Sequence, residues 1–184
     1  MPTLVNAEAH GDERGALLAY LEAQRGAIRR SLLGLTDEQA ALRPTAGELT
    51  LSGLLKHLTE VEQNWIVAIL AGRPEGDIKR DESNWGDSFR LVDDETVAGM
   101  LARNAQVARE TEEYINSLPD LDGTVPLPVA PWFPQDGRRS ARWVLLTLIQ
   151  ELARHAGHAD IIREAIDGKT AFELVDEDRA AQAG

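Results

Sequence analysis

Apolar residues recur at spacings of three and four over four long stretches of the chain, and alternation with a period of two is nearly absent, which predicts an all-α protein. The first stretch predicts a helix from about Asp12 to Leu33, and Thr36 with Gln39 forms a capping-box pair for a short helical turn after it. The second helix is expected from about Leu51 to Ala71, where GRPEG breaks it. A polar, irregular connection over Asp77 to Arg90, carrying Trp85, leads to a third helix that starts after Asp93 as N-cap and lasts to about Ser117. The proline-rich segment LPDLDGTVPLPVAPWFPQDGRR is too long for a simple turn. Ser140 then caps a fourth helix that ends at Asp167, with Gly168 at the position that favours a left-handed residue. The acidic tail from Lys169 is expected to pack loosely. Residues 1–184 therefore read as a single domain with a core over about 12–168, a four-helix bundle with long, unequal connections.

Two of these helices put histidine where a core-forming helix would carry leucine. With about 100° per residue, Glu151 and His155 fall on the apolar side of the fourth helix, among Val144, Leu148, Leu152 and Ile162, with His158 close by. On the second helix, Leu54, Leu58, Val61 and Trp65 form the inward stripe, and His57 and Asn64 stand at its edge. A carboxylate on an apolar face needs a partner, a proton or a cation. Residues at i and i+4 share one face, so Glu151 and His155 can converge on one ion, with His57 reaching it from the neighbouring helix. Three ligands leave a coordination position open, as in catalytic zinc sites. The same positions are also met by hydrogen-bonded boundary histidines and a glutamate paired with Arg154 or Arg142.

Composition narrows the chemistry. With 19 basic and 31 acidic residues the formal net charge is −12, which repels phosphate backbones and anionic membrane surfaces and argues against nucleic-acid and membrane partners. The amino terminus has neither the basic nor the apolar part of a secretory signal, and no apolar run is long enough to span a bilayer, so a cytoplasmic location is expected. Without any cysteine, a metal must be held by nitrogen and oxygen, and thiol chemistry requires a thiol from outside.

The segments SGLLKHLTEVEQNW (Ser52–Trp65) and LTLIQELARHAGHADIIREAIDG (Leu146–Gly168) resemble the two signature helices of the DinB-like superfamily, in particular an uncharacterised actinobacterial-type branch. The resemblance extends over roughly Glu13 to Gly168, and E-x-x-x-H-A-G-H-A-D is its most specific part. It implies an up-down-down-up bundle with a divalent metal on one residue of the second helix and two of the fourth, here His57, Glu151 and His155. Many members use three histidines; a glutamate among two histidines is similar to the set in mycothiol-dependent maleylpyruvate isomerase, and His158 stands where many members carry glutamine. That isomerase has an additional carboxy-terminal domain with no counterpart in this sequence, so its specific reaction is not implied.

What the resemblance implies is activation of a low-molecular-weight thiol, mycothiol or bacillithiol, by a divalent metal (zinc, or nickel, iron or manganese) for transfer or isomerisation. In this reading His158 is the proton-transfer or supporting group and Trp65 and Trp132, the latter beside Phe133 in the long loop, wall the substrate site, while Trp132 and Phe133 read equally as a plug closing the end of the bundle. The competing ligand set is His57, His155 and His158 with Glu151 as base. Glu60 reads as a solvated residue near His57, and His10 as part of a flexible terminus. Gly168-Lys169-Thr170 follows a helix instead of opening one and is not a phosphate-binding loop. Apolar positions outside the inward stripes, such as Ile66 and Ile149, would allow a homodimer. A non-catalytic metal- or ligand-binding bundle and a metal-dependent hydrolase are the alternative functions.

Overall fold

In a computed structural model, which describes residues 12–73, 80, 83–129, 131 and 133–183, the chain forms an all-α bundle with one small two-stranded sheet. The main helices are α1 (Glu13–Ser31), α3 (Leu51–Gln63), α4 (Val97–Ser117) and α5 (Ala141–Asp167), with a short α2 (Asp37–Ala40) and a terminal α6 (Ala171–Ala183). The caps fall where polar side chains can take the first free amides. Asp12, Thr36, Thr50, Thr96 and Ser140 each accept a backbone N–H of the following turn, Thr36 and Gln39 complete a capping box, and Gly168 closes α5 with φ +80°.

Contacts between side chains and neighbouring helices give the directions. Arg142 at the start of α5 reaches Glu13 at the start of α1, and Arg163 near the end of α5 donates to the carbonyls of Ser31 and Leu33, so these two helices run parallel. Arg14 donates to the carbonyl of Leu118, which makes α1 and α4 antiparallel. Asn104 bonds Thr59, Thr111 bonds Glu62 and the Tyr114 hydroxyl bonds the Leu70 carbonyl, so α3 and α4 run parallel. The bundle is up-down-down-up, as expected. Two parallel neighbours need a long return connection, and in its described part the turn Trp85–Phe89 packs on α3.

The core is the meeting of apolar stripes: Leu21 and Ile28 from α1, Leu54 and Leu58 from α3, and Val144, Leu148 and Leu152 from α5 are all buried. Beyond Gln63 the backbone of α3 continues as a π-helix, Asn64–Leu70, whose wider turn re-aims the side chains after Glu62. Among the described residues no helix is long and apolar enough to cross a membrane.

Four expectations change. The third helix is capped by Thr96, and Asp93 instead occupies a positive-φ turn at 52°. The acidic tail folds as α6 and buries Leu174 and Val175, packing on α1. The proline-rich segment contains an antiparallel pair, β1 (Thr124–Pro126) with β2 (Arg138–Ser140), Val125 opposite Arg139, which leads directly into α5. Ile66 is fully buried and Ile149 packs against the core, so neither offers an apolar surface for self-association. His10 lies outside the described residues.

Candidate metal centre

α3 and α5 are antiparallel neighbours, and their polar intrusions meet. The ligand atoms of His57, Glu151 and His155 all lie within 4.8 Å of one another. A single carboxylate oxygen, Glu151 Oε1, is 3.2 Å from His155 Nε2 and 3.6 Å from His57 Nε2. The arginines considered as alternative partners are elsewhere: Arg142 pairs with Glu13 and Asp122, and Arg154 is exposed. Among the described residues the glutamate on the apolar face thus pairs with two imidazoles and not with a guanidinium.

The remaining ring nitrogens are engaged. His57 Nδ1 is 3.1 Å from the Ser88 hydroxyl, and the ring stacks on Phe89 at 4.0 Å between centroids. His155 Nδ1 is 3.3 Å from His158 Nδ1. Both Nδ1 atoms therefore have partners on the outside, and both Nε2 atoms point at Glu151. This is the arrangement in which outer hydrogen bonds orient imidazole ligands towards a metal. Burial lowers the pKa of His57, with His155 adding to the effect. Burial is also the main reason the pKa of His155 is lowered, against the pull of Glu151. Neutral imidazoles keep their lone pairs, so the donor set of two nitrogens and one carboxylate fits a borderline divalent cation. The Glu151 side chain retains 34% of its exposure, against 14% for His57 and 12% for His155, so the centre is reached from solvent on the Glu151 side.

Ser88 and Phe89 belong to a 3-10 turn, Trp85–Phe89, in the connection between α3 and α4. That turn can lie on α3 because Gly53 has no side chain: a Cβ there would stand 2.0 Å from the Phe89 carbonyl oxygen. Gly53 is one turn before His57, so the closest approach of the connection falls at the metal-facing histidine. Neither Ser88 nor Phe89 was identifiable from sequence, since nothing in a polar connection states which residue reaches back. The glycine on a buried helix face was the available signal.

A cleft of about 500 Å³ opens beside His57. Trp65 lines it and meets Phe133 and Trp143 edge-on at 5.9 and 5.5 Å. Trp132 lies outside the described residues. Glu60 is not solvated: it is 6% exposed and paired with Arg80, which closes over it from the connection.

A model of the Mycothiol-S-transferase family matches residues 16–168. A crystal structure described as the conserved protein of locus from Enterococcus faecalis shares the fold at TM-score 0.65 and 14% identity, covering 86% of this chain and 99% of that one. No curated protein matches. The family match spans most of the sequence, and the chain belongs to the mycothiol S-transferase family, a DinB-like family.

Proposed function

From membership of the mycothiol S-transferase family, we propose that the protein is an enzyme that transfers the sulfur of a low-molecular-weight thiol, mycothiol by the family's name, to a small electrophile at a metal held by His57, Glu151 and His155. The observation that carries this reading is the convergence of those three ligand atoms within 4.8 Å, with both imidazoles aligned by outer partners. Zinc suits two nitrogens and one oxygen best, and nickel, iron and manganese accept the same donors. A divalent ion there supplies Lewis acidity: two neutral imidazoles and one carboxylate leave it a formal charge of about +1, enough to lower the pKa of a coordinating thiol.

The chain's own residues do the rest. Ser88 fixes the His57 ring so that Nε2 faces inward. His158 occupies the outer nitrogen of His155, and in this reading it accepts the Nδ1 proton of His155, which leaves Nε2 free as the ligand. That position supports a supporting role for His158 in place of a fourth ligand, with Glu151 among the ligands and not the base. Trp65 forms a wall of the cleft in which the electrophile is held. With no cysteine in the chain, the attacking sulfur is the cosubstrate's.

Elemental analysis of untagged protein, purified without chelator, beside His57→Ala and Glu151→Ala variants tests the site. Metal near one equivalent per chain, lost in both variants, is expected. Full occupancy in Glu151→Ala would show that the ligand set is wrong. The metal-loaded protein should consume mycothiol in the presence of chlorodinitrobenzene. Stoichiometric metal without thiol consumption across mycothiol, bacillithiol and several electrophiles would leave a binding bundle and end the transferase reading.

A further inference from the structure

The cleft beside His57 has an unusual electrostatic design. Its walls are apolar and flat, formed by Val61, Trp65, Phe89, Pro128 and Phe133, and its volume of about 500 Å³ suits a small organic molecule. Among the described residues that line it, His57 aside, only Glu60 and Arg80 carry formal charges. These two are spent on each other. Arg80 Nε donates to Glu60 Oε2 at 2.9 Å and a second guanidinium nitrogen donates to Oε1, so the fork covers both carboxylate oxygens.

The pair therefore presents the cleft with a dipole and no net charge. A ligand carboxylate approaching Arg80 meets Glu60 at the same time, and a ligand ammonium approaching Glu60 meets Arg80. At the Glu60–Arg80 wall, away from any ion held at His57, either charged group would leave water without an unopposed counter-charge. An uncharged group with a flat apolar body loses little on entering and gains contact with the aromatic walls. A lone arginine in the same place would have made the cleft an anion site.

We infer that the part of this cleft walled by Glu60 and Arg80 receives the uncharged, flat apolar body of a ligand, and that Glu60 is the residue that sets the preference there by cancelling the charge of Arg80. That the ligand is the electrophile of the transfer rests on the proposed function above. The charge preference of the cleft does not.

The test uses naphthamide and naphthoate, probes of one shape that differ by a unit charge, with binding read from quenching of the tryptophan emission to which Trp65 and Trp85 in the cleft contribute. Wild type, Glu60→Gln and Arg80→Gln are compared in the same metal state, so that the charge of any bound ion cancels between proteins. Glu60→Gln, which frees the guanidinium charge, should shift the ratio of affinities towards naphthoate by about tenfold. Arg80→Gln, which bares the carboxylate, should shift it away from naphthoate by a similar factor of about ten. Because the two variants move the ratio in opposite directions, misfolding of one cannot imitate the result. An unchanged ratio in both, or no binding of either probe to wild type, overturns the inference. Loss of metal or of thiol turnover in separate assays would overturn the transferase reading while leaving this ratio intact.

Discussion

Two glutamates of this bundle, Glu62 and Glu151, are treated in opposite ways. Glu62 on α3 is 1% exposed, and both its oxygens are engaged: Arg25 donates to Oε2 at 3.0 Å and to Oε1 at 2.5 Å, and Thr111 donates to Oε1 at 2.6 Å. Glu151 on α5 faces two imidazoles that burial disfavours protonating, and among the described residues these are its ion-pair partners. The first carboxylate is closed by charge and geometry and can only hold helices together. The second has acceptor capacity left and lies where a cation can reach it. A buried acid is therefore informative about function through what its neighbours leave undone.

The largest effect should come from breaking the closed site. Glu62→Ala leaves Arg25 buried without its main counter-charge and should destabilise the protein by about 3–5 kcal/mol. Glu151→Ala, at a partly exposed position, should cost the metal-free protein less than about 1 kcal/mol. Urea unfolding of both variants measures the difference. Equal losses would mean that Glu151 is as structural as Glu62, and the contrast would fail.

Metal addition should narrow the difference. At a hundredfold excess over the dissociation constant, a ligand that binds only the folded state stabilises it by about 2.7 kcal/mol. Wild type should gain this with zinc and lose it with chelator, whereas Glu151→Ala should show no gain. Thermal melts with and without metal decide it, and a gain in Glu151→Ala equal to that of wild type would remove the carboxylate from the ligand set.

The open site was legible in the sequence because it violates a pattern. Histidine and glutamate at i and i+4 on an apolar stripe stand out against leucine, and the opposing stripe supplied His57. The closed sites were not. Arg25, Lys56, Glu62 and Arg163 are all buried and paired, yet each sits at a position whose helical phase fits a solvated face as well. Periodicity cannot tell a face turned to water from one covered by a distant connection. For the same reason Glu60 reads as solvated until Arg80 is seen to close over it. The four long helices, the N-caps Thr36 and Ser140 and the closing Gly168 were visible because they depend on local chemistry. Thr96 displaced Asp93 as N-cap because three further residues of extended and turn backbone intervene before the helix starts. The hairpin and α6 were missed because two strands of three residues, and a segment whose large apolar residues are only Phe172, Leu174 and Val175, carry too little apolar period.

The connection across α3 offers a subtler way to disturb the open site without touching its ligands. Gly53→Ala places a methyl against the Phe89 carbonyl and must push the 3-10 turn outward, an overpacking that should cost about 1–3 kcal/mol. Metal affinity should fall with it, because Ser88 and Phe89 move away from His57. A variant that loses stability but keeps wild-type metal affinity would mean that the turn protects the fold alone.

The smallest expected effect is the most specific. Ser88→Ala removes one hydroxyl from the outer nitrogen of His57 and leaves the three ligands, the Phe89 stack and the helix packing in place. If that hydroxyl fixes the ring with Nε2 inward, metal affinity should drop about tenfold, a difference of about 1.4 kcal/mol. Ser88→Thr keeps the oxygen and should restore most of it. The unfolding free energy without metal should change by no more than about 1 kcal/mol, the net worth of one hydrogen bond. A competition titration against a chelator separates these quantities. Were the alanine variant to lose stability and keep its affinity, Ser88 would belong with Thr111, as a hydroxyl that completes packing, and the orientation of His57 would have to come from the Phe89 ring beneath it.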